Sequence, residues 1–282
     1  MLKNAISLGA MILFSPSKIN LGLQVIERRS DGYHNIQSVM LPVGLCDILE
    51  IKRMDLGHEG IAFTQTGIQL ESEPAFNLCI RAYQIFNEEV KLPPLGIHLH
   101  KQIPVGAGLG GGSSNASHTL MGLNKLTGEP VPEKKLHEMA ASLGSDCPFF
   151  LHGKPMLAEG RGEILGPLSL DLGGLFLVLF HAGIHISTVE AYGGVTPSPL
   201  RNDLSRLVQE PVKVWRKQVV NDFERPVFSK YPELELLKQS IYRAGALFAS
   251  LSGSGSALYG LFPGFPKLPA DLARYVIWKG IL

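Results

Sequence analysis

A chain of 282 residues with 45% hydrophobic and 18% charged side chains has the composition of a globular protein with a substantial core, and the length suits two modest domains. Its 26 basic and 25 acidic residues leave a formal charge of +1 with no basic block, which argues against nucleic acid as a partner. Cys46, Cys79 and Cys147 form no CxxC pair, excluding a disulfide framework or cysteine-based zinc site, and no apolar run nears the roughly 20 residues that span a bilayer.

The chain opens on "MLKNAISLGAMILFSP", whose Lys3 and apolar stretch have the outline of a signal peptide. It lacks an A-x-A cleavage site, and a cut after Ser15 or Ser17 would fray the segment around Lys18 argued below to be catalytic. Met11 is an alternative start, with residues 1–10 an upstream extension. A cytoplasmic setting without a membrane partner is therefore expected. "KINLGLQVIERR" then alternates through Ile19, Leu21, Leu23 and Val25, "SDG" turns, and "YHNIQSVMLPV" returns, which predicts a hairpin. "DILEI" predicts a further strand. "NLCIRAYQIFNEEV" carries Leu78, Ala82, Ile85, Phe86 and Val90 at helical spacing behind Asn77 as N-cap.

"LGIHLHKQI" reads as a strand running into "PVGAGLGGGSSNA", after which Ala116, Leu120, Leu123 and Leu126 mark a helix closed by Gly128 and Pro130. "EKKLHEMAASLG" predicts a second helix stopped by Gly144, and "SDCPFFLHG" is expected to lead into an apolar strand. A Gly/Leu/Ser stretch at 167–174 marks a boundary. Beyond it lie the buried-strand run "LFLVLF", the helical "YPELELLKQSIYRAGA" and a second glycine loop, "LSGSGSALYGLF". Helices and strands mix without a strict βαβ rhythm, so the fold class is α+β.

Five glycines fall between 106 and 112. Gly106, Gly108 and Gly111 satisfy G-x-G-x-x-G, a weak signal in a chain with 31 glycines. A dinucleotide fold needs an acidic residue about 20 positions on at a strand end, whereas Glu129 and Glu133 fall in a turn and at a helix start. A Walker A loop needs a lysine where Ser113 stands. A strand, a loop almost free of side chains and a helix starting near Ser113, Ser114 and Asn115 would present unpaired backbone N–H groups to an anion. Helix N-termini favour anions by about 0.3–1 kcal/mol when exposed and ~2 kcal/mol when partly buried. The loop reads as a phosphate cradle, with a ligand-free glycine turn as the plainer alternative. A kinase also needs a base and a cation, for which Asp146 and Lys18 are candidates. On residue pattern alone, a turn aspartate and an ordinary strand lysine are the default readings. His98 with His100, and His181 with His185, each lack a third metal ligand.

Taken in order, "PSKINLGL", "PVGAGLGGGSSNA" and "LSGSGSALYG" resemble the GHMP kinase superfamily of galactokinase, homoserine kinase, mevalonate kinase and phosphomevalonate kinase. "RRSDGYHNIQSVM", "GSDCPFFLHGKPMLAEGRGE" and "NDFE" are similar to its 4-diphosphocytidyl-2-C-methyl-D-erythritol kinase branch. The resemblance runs from about Leu13 to the end. It implies two α+β domains, drawn as 1–165 with the phosphate loop and 166–282, with the active site in the cleft between them. It implies ATP-dependent phosphorylation of the 2-hydroxyl of a cytidine-diphosphate-linked methylerythritol on the non-mevalonate route to isoprenoid precursors, with Mg2+ as cofactor and a small molecule as partner.

By position, the resemblance makes Asp146 the group that takes or orients the acceptor proton and Lys18 the cation that keeps that carboxylate ionised. Asn20 would hold the polyol, Tyr33 and His34 the cytosine, and Tyr192 with Thr188 the opposite wall. Gly253 and Gly255, with Ser252 or Ser254, would close over the phosphates. The nucleotide side would take Asn77, Lys101, Pro104, Gly106, Gly108, Leu109, Gly110, Gly111, Gly112, Ser113, Ser114 and Asn115. Ser17 stands where alanine is commoner, and no acidic residue near the loop is an obvious Mg2+ ligand. The metal ligands are therefore left open, with ATP itself as the carrier and Ser114 as one contact. The rival readings are a mevalonate- or homoserine-class kinase, which would not need "DGYH", a catalytically silent nucleotide-binding module, which would not need both Lys18 and Asp146, and an NAD-dependent dehydrogenase resting only on the glycine pattern.

Overall fold

The structure, a computed structural model, describes residues 9–54, 60–69 and 77–282. Lys3 and the rest of the first eight residues lie outside the described residues. The chain forms two compact units that interleave along the sequence. One takes the described parts of Met1–Ser17, Leu45–Ile103 and Gly111–His152; the other takes Lys18–Gly44, Pro104–Gly110 and Gly153–Leu282. Strands β1 (Ala10–Arg28) and β2 (His34–Arg53) pair with each other, and each contributes one stretch to either unit.

In the first unit, β4 (Leu95–Lys101) lies between two partners. It runs parallel to β3 (Ile61–Gly67) and antiparallel to the second half of β2, with Ile48 opposite His100 and Arg53 opposite Leu95. Leu49, Ile51, Ile97 and Leu99 pack there against helices α1 (Leu78–Glu89), α2 (Gly111–Leu126) and α3 (Glu133–Leu143). Helix α1 buries Cys79, Ala82, Tyr83 and Phe86, the stripe expected from helical spacing, and Asn77 caps it by accepting from the Cys79 N–H at 2.9 Å. Such a cap contributes about 1 kcal/mol.

Helix α2 is buried on nearly every side, so its polar side chains must find partners inside. Ser117 Oγ donates to the Cys147 carbonyl at 2.7 Å, and Asn124 exchanges two bonds of 3.0 Å with the backbone of Val131. Gly122 admits its neighbours closely, since a Cβ there would lie 2.6 Å from Leu13 Cδ1 and 2.7 Å from Ile51 Cδ1.

In the second unit, the first half of β2 pairs antiparallel with β5 (Met156–Glu159), which pairs antiparallel with β6 (Ile164–Pro167). A separate antiparallel sheet has the order β10 (Val276–Ile281), β7 (Phe176–Phe180), β9 (Leu258–Phe262), β8 (Phe248–Leu251). Its Val178, Phe180, Ala249 and Leu251 pack with Leu234, Leu237 and Ile241 of α8 (Pro232–Arg243), and with Leu23, Val25 and Ile36 of the hairpin. Shorter helices join these parts, among them α4 (Thr188–Gly193), α5 (Leu204–Leu207), α6 (Val212–Gln218) and α7 (Glu224–Lys230). The α+β class holds, and no helix among the described residues is long and apolar enough to cross a membrane.

Two sequence expectations change. The runs "YHNIQSVMLPV" and "DILEI" belong to one 20-residue strand. Pro42 falls between the stretch paired with β5 and the stretch paired with β4, where neither partner needs its missing N–H. "SDCPFFLHG" is a turn and a 3-10 helix at Pro148–Leu151 rather than a strand, because Pro148 sits in its first turn and presets φ for helical geometry. In "KINLGLQVIERR" the polar positions are interior too, with Lys18, Asn20 and Gln24 buried alongside Ile19 and Leu21.

Candidate active site

Lys18 is 4% exposed, and burial of an ammonium requires polar partners. Its Nζ donates to Asn20 Oδ1 at 2.6 Å, Asn20 Nδ2 donates to Ser38 Oγ at 2.8 Å, and Ser38 Oγ donates to the Gly22 carbonyl at 2.7 Å. Tyr259 OH holds the Asn20 carbonyl at 2.9 Å. Alternation along β1 puts Lys18 and Asn20 on one face. The second glycine loop meets them there: a Cβ on Gly253 would lie 3.2 Å from Lys18 Nζ and 3.3 Å from Asn20 Oδ1.

The two glycine loops are joined through backbone. Ser252 Oγ donates to the Gly108 carbonyl at 3.0 Å, Ala257 N–H donates to the Ala107 carbonyl at 3.0 Å, and Lys18 N–H donates to the Leu109 carbonyl at 2.9 Å. At Gly108, φ is +74° and a Cβ would overlap the Ser252 carbonyl oxygen, so the position requires glycine twice over. Asn221, in the "NDFE" segment, donates to the carbonyls of Leu251 at 2.9 Å and Gly253 at 2.8 Å and so fixes the second loop. Lys18, Asn20, Gly108, Ser252 and Gly253 thus share one neighbourhood, with Gly255 in the same turn.

Where the loop enters α2, the helix begins at Gly111, two residues before the expected start. Gly112 is exposed, and the nearest atom a Cβ there would meet is Leu78 Cδ1 at 3.6 Å, leaving room for a ligand to approach. Ser113 is half-buried and Ser114 fully buried. Below this end lies Asp47, wholly buried, which no sequence motif singled out. It accepts from Lys101 Nζ at 2.5 Å, Gln102 N–H at 2.7 Å, Ile103 N–H at 2.8 Å and Asn115 Nδ2 at 2.9 Å. Burial holds the Lys101 ammonium below its usual range, and Asp47 opposes that shift. Lys101 and Asn77 therefore direct their polar groups into the protein, to Asp47 and to the α1 cap respectively. The one sequence signal for Asp47 was an acid within the apolar strand "GLCDILEI".

Asp146 lies in the first unit, half-buried in the turn between α3 and the 3-10 helix. The next residue anchors it: Cys147 N–H donates to the Gly144 carbonyl at 3.1 Å. Burial, with the Asp146 charge beside it, pushes the Cys147 thiol up to about 11.

In the second unit, His34 and Tyr192 stack directly, with ring centroids 4.8 Å apart and planes 22° from parallel. Phe223 meets Tyr192 edge-on at 4.8 Å. Burial, and secondarily the charge of Arg28, lowers the His34 imidazole below its usual range. Tyr33 is exposed, with the Arg161 guanidinium 4.8 Å above its ring. Arg161 belongs to "LAEGRGE", and its role beside Tyr33 was not visible from the sequence. Thr188 opens α4 on the surface. Among the described residues, no group of three His, Cys, Asp or Glu side chains is arranged to hold a metal.

Residues 77–154 match the GHMP kinases N terminal domain, and residues 213–274 the GHMP kinases C terminal domain. A 4-diphosphocytidyl-2-C-methyl-D-erythritol kinase from Azobacteroides pseudotrichonymphae is 47% identical over 253 residues, covering 89% of this chain and 93% of that protein. The crystal structure of a 4-(cytidine 5'-diphospho)-2C-methyl-D-erythritol kinase superposes with a TM-score of 0.77 at 34% identity, covering 94% of this chain and 92% of that one. A homoserine kinase from Cytophaga hutchinsonii superposes with a TM-score of 0.70 at 17% identity, covering 98% of this chain and 90% of that one, a likeness of fold alone.

Proposed function

Since the chain belongs to the 4-diphosphocytidyl-2-C-methyl-D-erythritol kinase family of GHMP kinases, we propose that it transfers the terminal phosphoryl group of ATP to the 2-hydroxyl of 4-diphosphocytidyl-2-C-methyl-D-erythritol. The observation that carries this reading is the 47% identity extending over 89% of the chain. In the reaction, the acceptor oxygen bonds to the γ-phosphorus, the bond from that phosphorus to the β–γ bridging oxygen breaks, and ADP leaves. The acceptor proton passes to the Asp146 carboxylate, a step typically worth about 10²–10⁴ in rate. Lys18, held by Asn20, supplies positive charge that offsets the negative charge developing on the transferred phosphoryl group.

The glycine loop and the first turn of α2 receive the triphosphate, where bare backbone allows close approach and amides favour an anion. Mg2+ would arrive with the nucleotide, since Ser114, the protein contact expected from the sequence, is fully buried. Asn77 and Lys101 act through the scaffold under the loop. The Gly253–Gly255 turn closes over phosphate, while Tyr33, His34, Thr188 and Tyr192 receive the cytidine end. For cytosine to lie between aromatic rings, the His34–Tyr192 stack has to open or take the base on its edge. We place the reaction in the cytoplasm, where ATP is supplied and free thiols such as Cys79 and Cys147 stay reduced.

The test is a coupled ADP-release assay with Mg-ATP and, in parallel, the cytidine-linked substrate, mevalonate and homoserine. Turnover with the cytidine-linked substrate alone is expected. Turnover with mevalonate or homoserine instead would keep the fold and overturn the substrate.

A further inference from the structure

His185 lies between β7 and α4, outside every motif used above. A methyl group built on Gly106 would overlap its Cε1 and Nδ1 atoms, so the imidazole rests directly on the backbone of the first loop glycine. Gly106 has φ +65°, a left-handed conformation that suits a residue without a side chain. The flanking residues hold the ring there. Ser256 Oγ, from the second glycine loop, donates to the Ile184 carbonyl, and Ile186 is buried in the core of the second unit. With both neighbours turned to the protein, the His185 side chain projects outward and is exposed.

The ring is also free to bind. No hydrogen bond engages it among the described residues. Glu190 is the carboxylate whose charge reaches it, and that group is already bonded by Lys230 Nζ at 2.7 Å and Tyr231 OH at 2.8 Å. The first glycine loop thus lies against a histidine with donor capacity unspent, and the second loop anchors the residue before it.

We propose that His185 is a further phosphate-binding residue, donating an imidazole N–H to the nucleotide's phosphate chain where it lies on Gly106–Gly108. The assignment rests on the kinase reading above and adds a ligand contact to it. A neutral imidazole already offers one N–H donor, and a charged one adds attraction to the anion.

The experiment titrates the wild type, His185→Ala and His185→Gln with a non-hydrolysable ATP analogue and, separately, with adenosine, and then measures KM for ATP and for the acceptor. The alanine variant should bind the analogue about 10-fold more weakly, the scale of one hydrogen bond to a charged group, with adenosine binding unchanged. The glutamine variant, which keeps an N–H donor, should recover part of the loss. KM for ATP should rise while KM for the acceptor holds. Equal analogue affinity in wild type and His185→Ala overturns this assignment and leaves the kinase reading standing. Equal losses for analogue and adenosine make the role structural and also overturn it, as does a KM change confined to the acceptor. A wild type that binds no analogue overturns the phosphate-loop reading and this contact together.

Discussion

Replacing Asp47 by alanine removes the acceptor for four donors at once: the Lys101 ammonium, two consecutive backbone N–H groups and the Asn115 amide. Lys101 is only 3% exposed, so its charge would be left buried and unpaired. Breaking a buried pair in this way costs about 3–5 kcal/mol. At roughly 2–4 °C per kcal/mol for domains of 150–250 residues, the melting temperature should fall by at least about 6 °C. Asp47→Asn keeps an acceptor oxygen and removes the charge, which isolates the ionic part.

The deficit should depend on pH. Burial already depresses the folded Lys101 pKa, so the unfolded chain binds the proton more tightly and this group's contribution to stability rises with pH up to the ordinary lysine range. Without Asp47 the folded value drops further, the window extends downward, and the deficit seen at about pH 7 should shrink by about pH 9.5. Thermal melts of Asp47→Asn, Lys101→Met and the double variant at both pH values test this, with the double variant less destabilised than Asp47→Asn alone. A melting temperature within about 2 °C of wild type, or a deficit indifferent to pH, would refute the account of Asp47 as the charge partner that keeps Lys101 ionised.

Asp146→Asn should lower kcat by about 10²–10⁴ with KM for ATP little changed, measured by ADP release; wild-type turnover would place the base elsewhere. Gly108→Ala meets the Ser252 carbonyl and should lose at least about 10-fold in kcat/KM, more than 1.4 kcal/mol of transition-state binding. Gly32→Ala, at φ +86° with nothing within 4 Å of its Cβ, should cost only the left-handed strain of about 1–2 kcal/mol in stability and leave activity intact. Because the His34 pKa is depressed, the ring is neutral at neutral pH and gains its proton only below the usual imidazole range. KM for the cytidine-linked substrate should therefore rise on the acid side and stay flat above, and the acid rise should vanish in His34→Gln.

The chain's punctuation was its most legible part. Asn77 before an apolar stripe predicted α1 and its cap, and Gly144 predicted the end of α3, because both signals are local. Fold class and family were legible because several glycine-rich and charged segments kept their order over most of the chain. What stayed hidden depends on tertiary partners. Asp47 is one of two acids in a largely apolar strand until the 102–103 backbone and Lys101 come to it. From the sequence His185 reads only as half of a metal pair, because nothing in "HAGIHIST" reveals that the ring will sit on Gly106. The strand misread at "SDCPFFLHG" shows the limit of apolar runs as evidence, since Phe149 and Phe150 are equally buried on a 3-10 turn.

Interleaving sets an order of assembly during synthesis. The described parts of the first unit are complete once residue 152 has emerged, helices α1 to α3 included. The second unit takes Lys18–Gly44 from near the start of the chain but waits for strands that end at Ile281. Leu23, Val25 and Ile36 are therefore made early and covered late, by partners such as Val178, Leu234 and Leu258. At about 5–20 residues per second, the 130 residues from 153 to 282 take roughly 7–26 s to appear. For that interval the hairpin bearing Lys18 and Asn20 exposes an apolar face on the nascent chain, the stage at which a holdase chaperone would find most to bind.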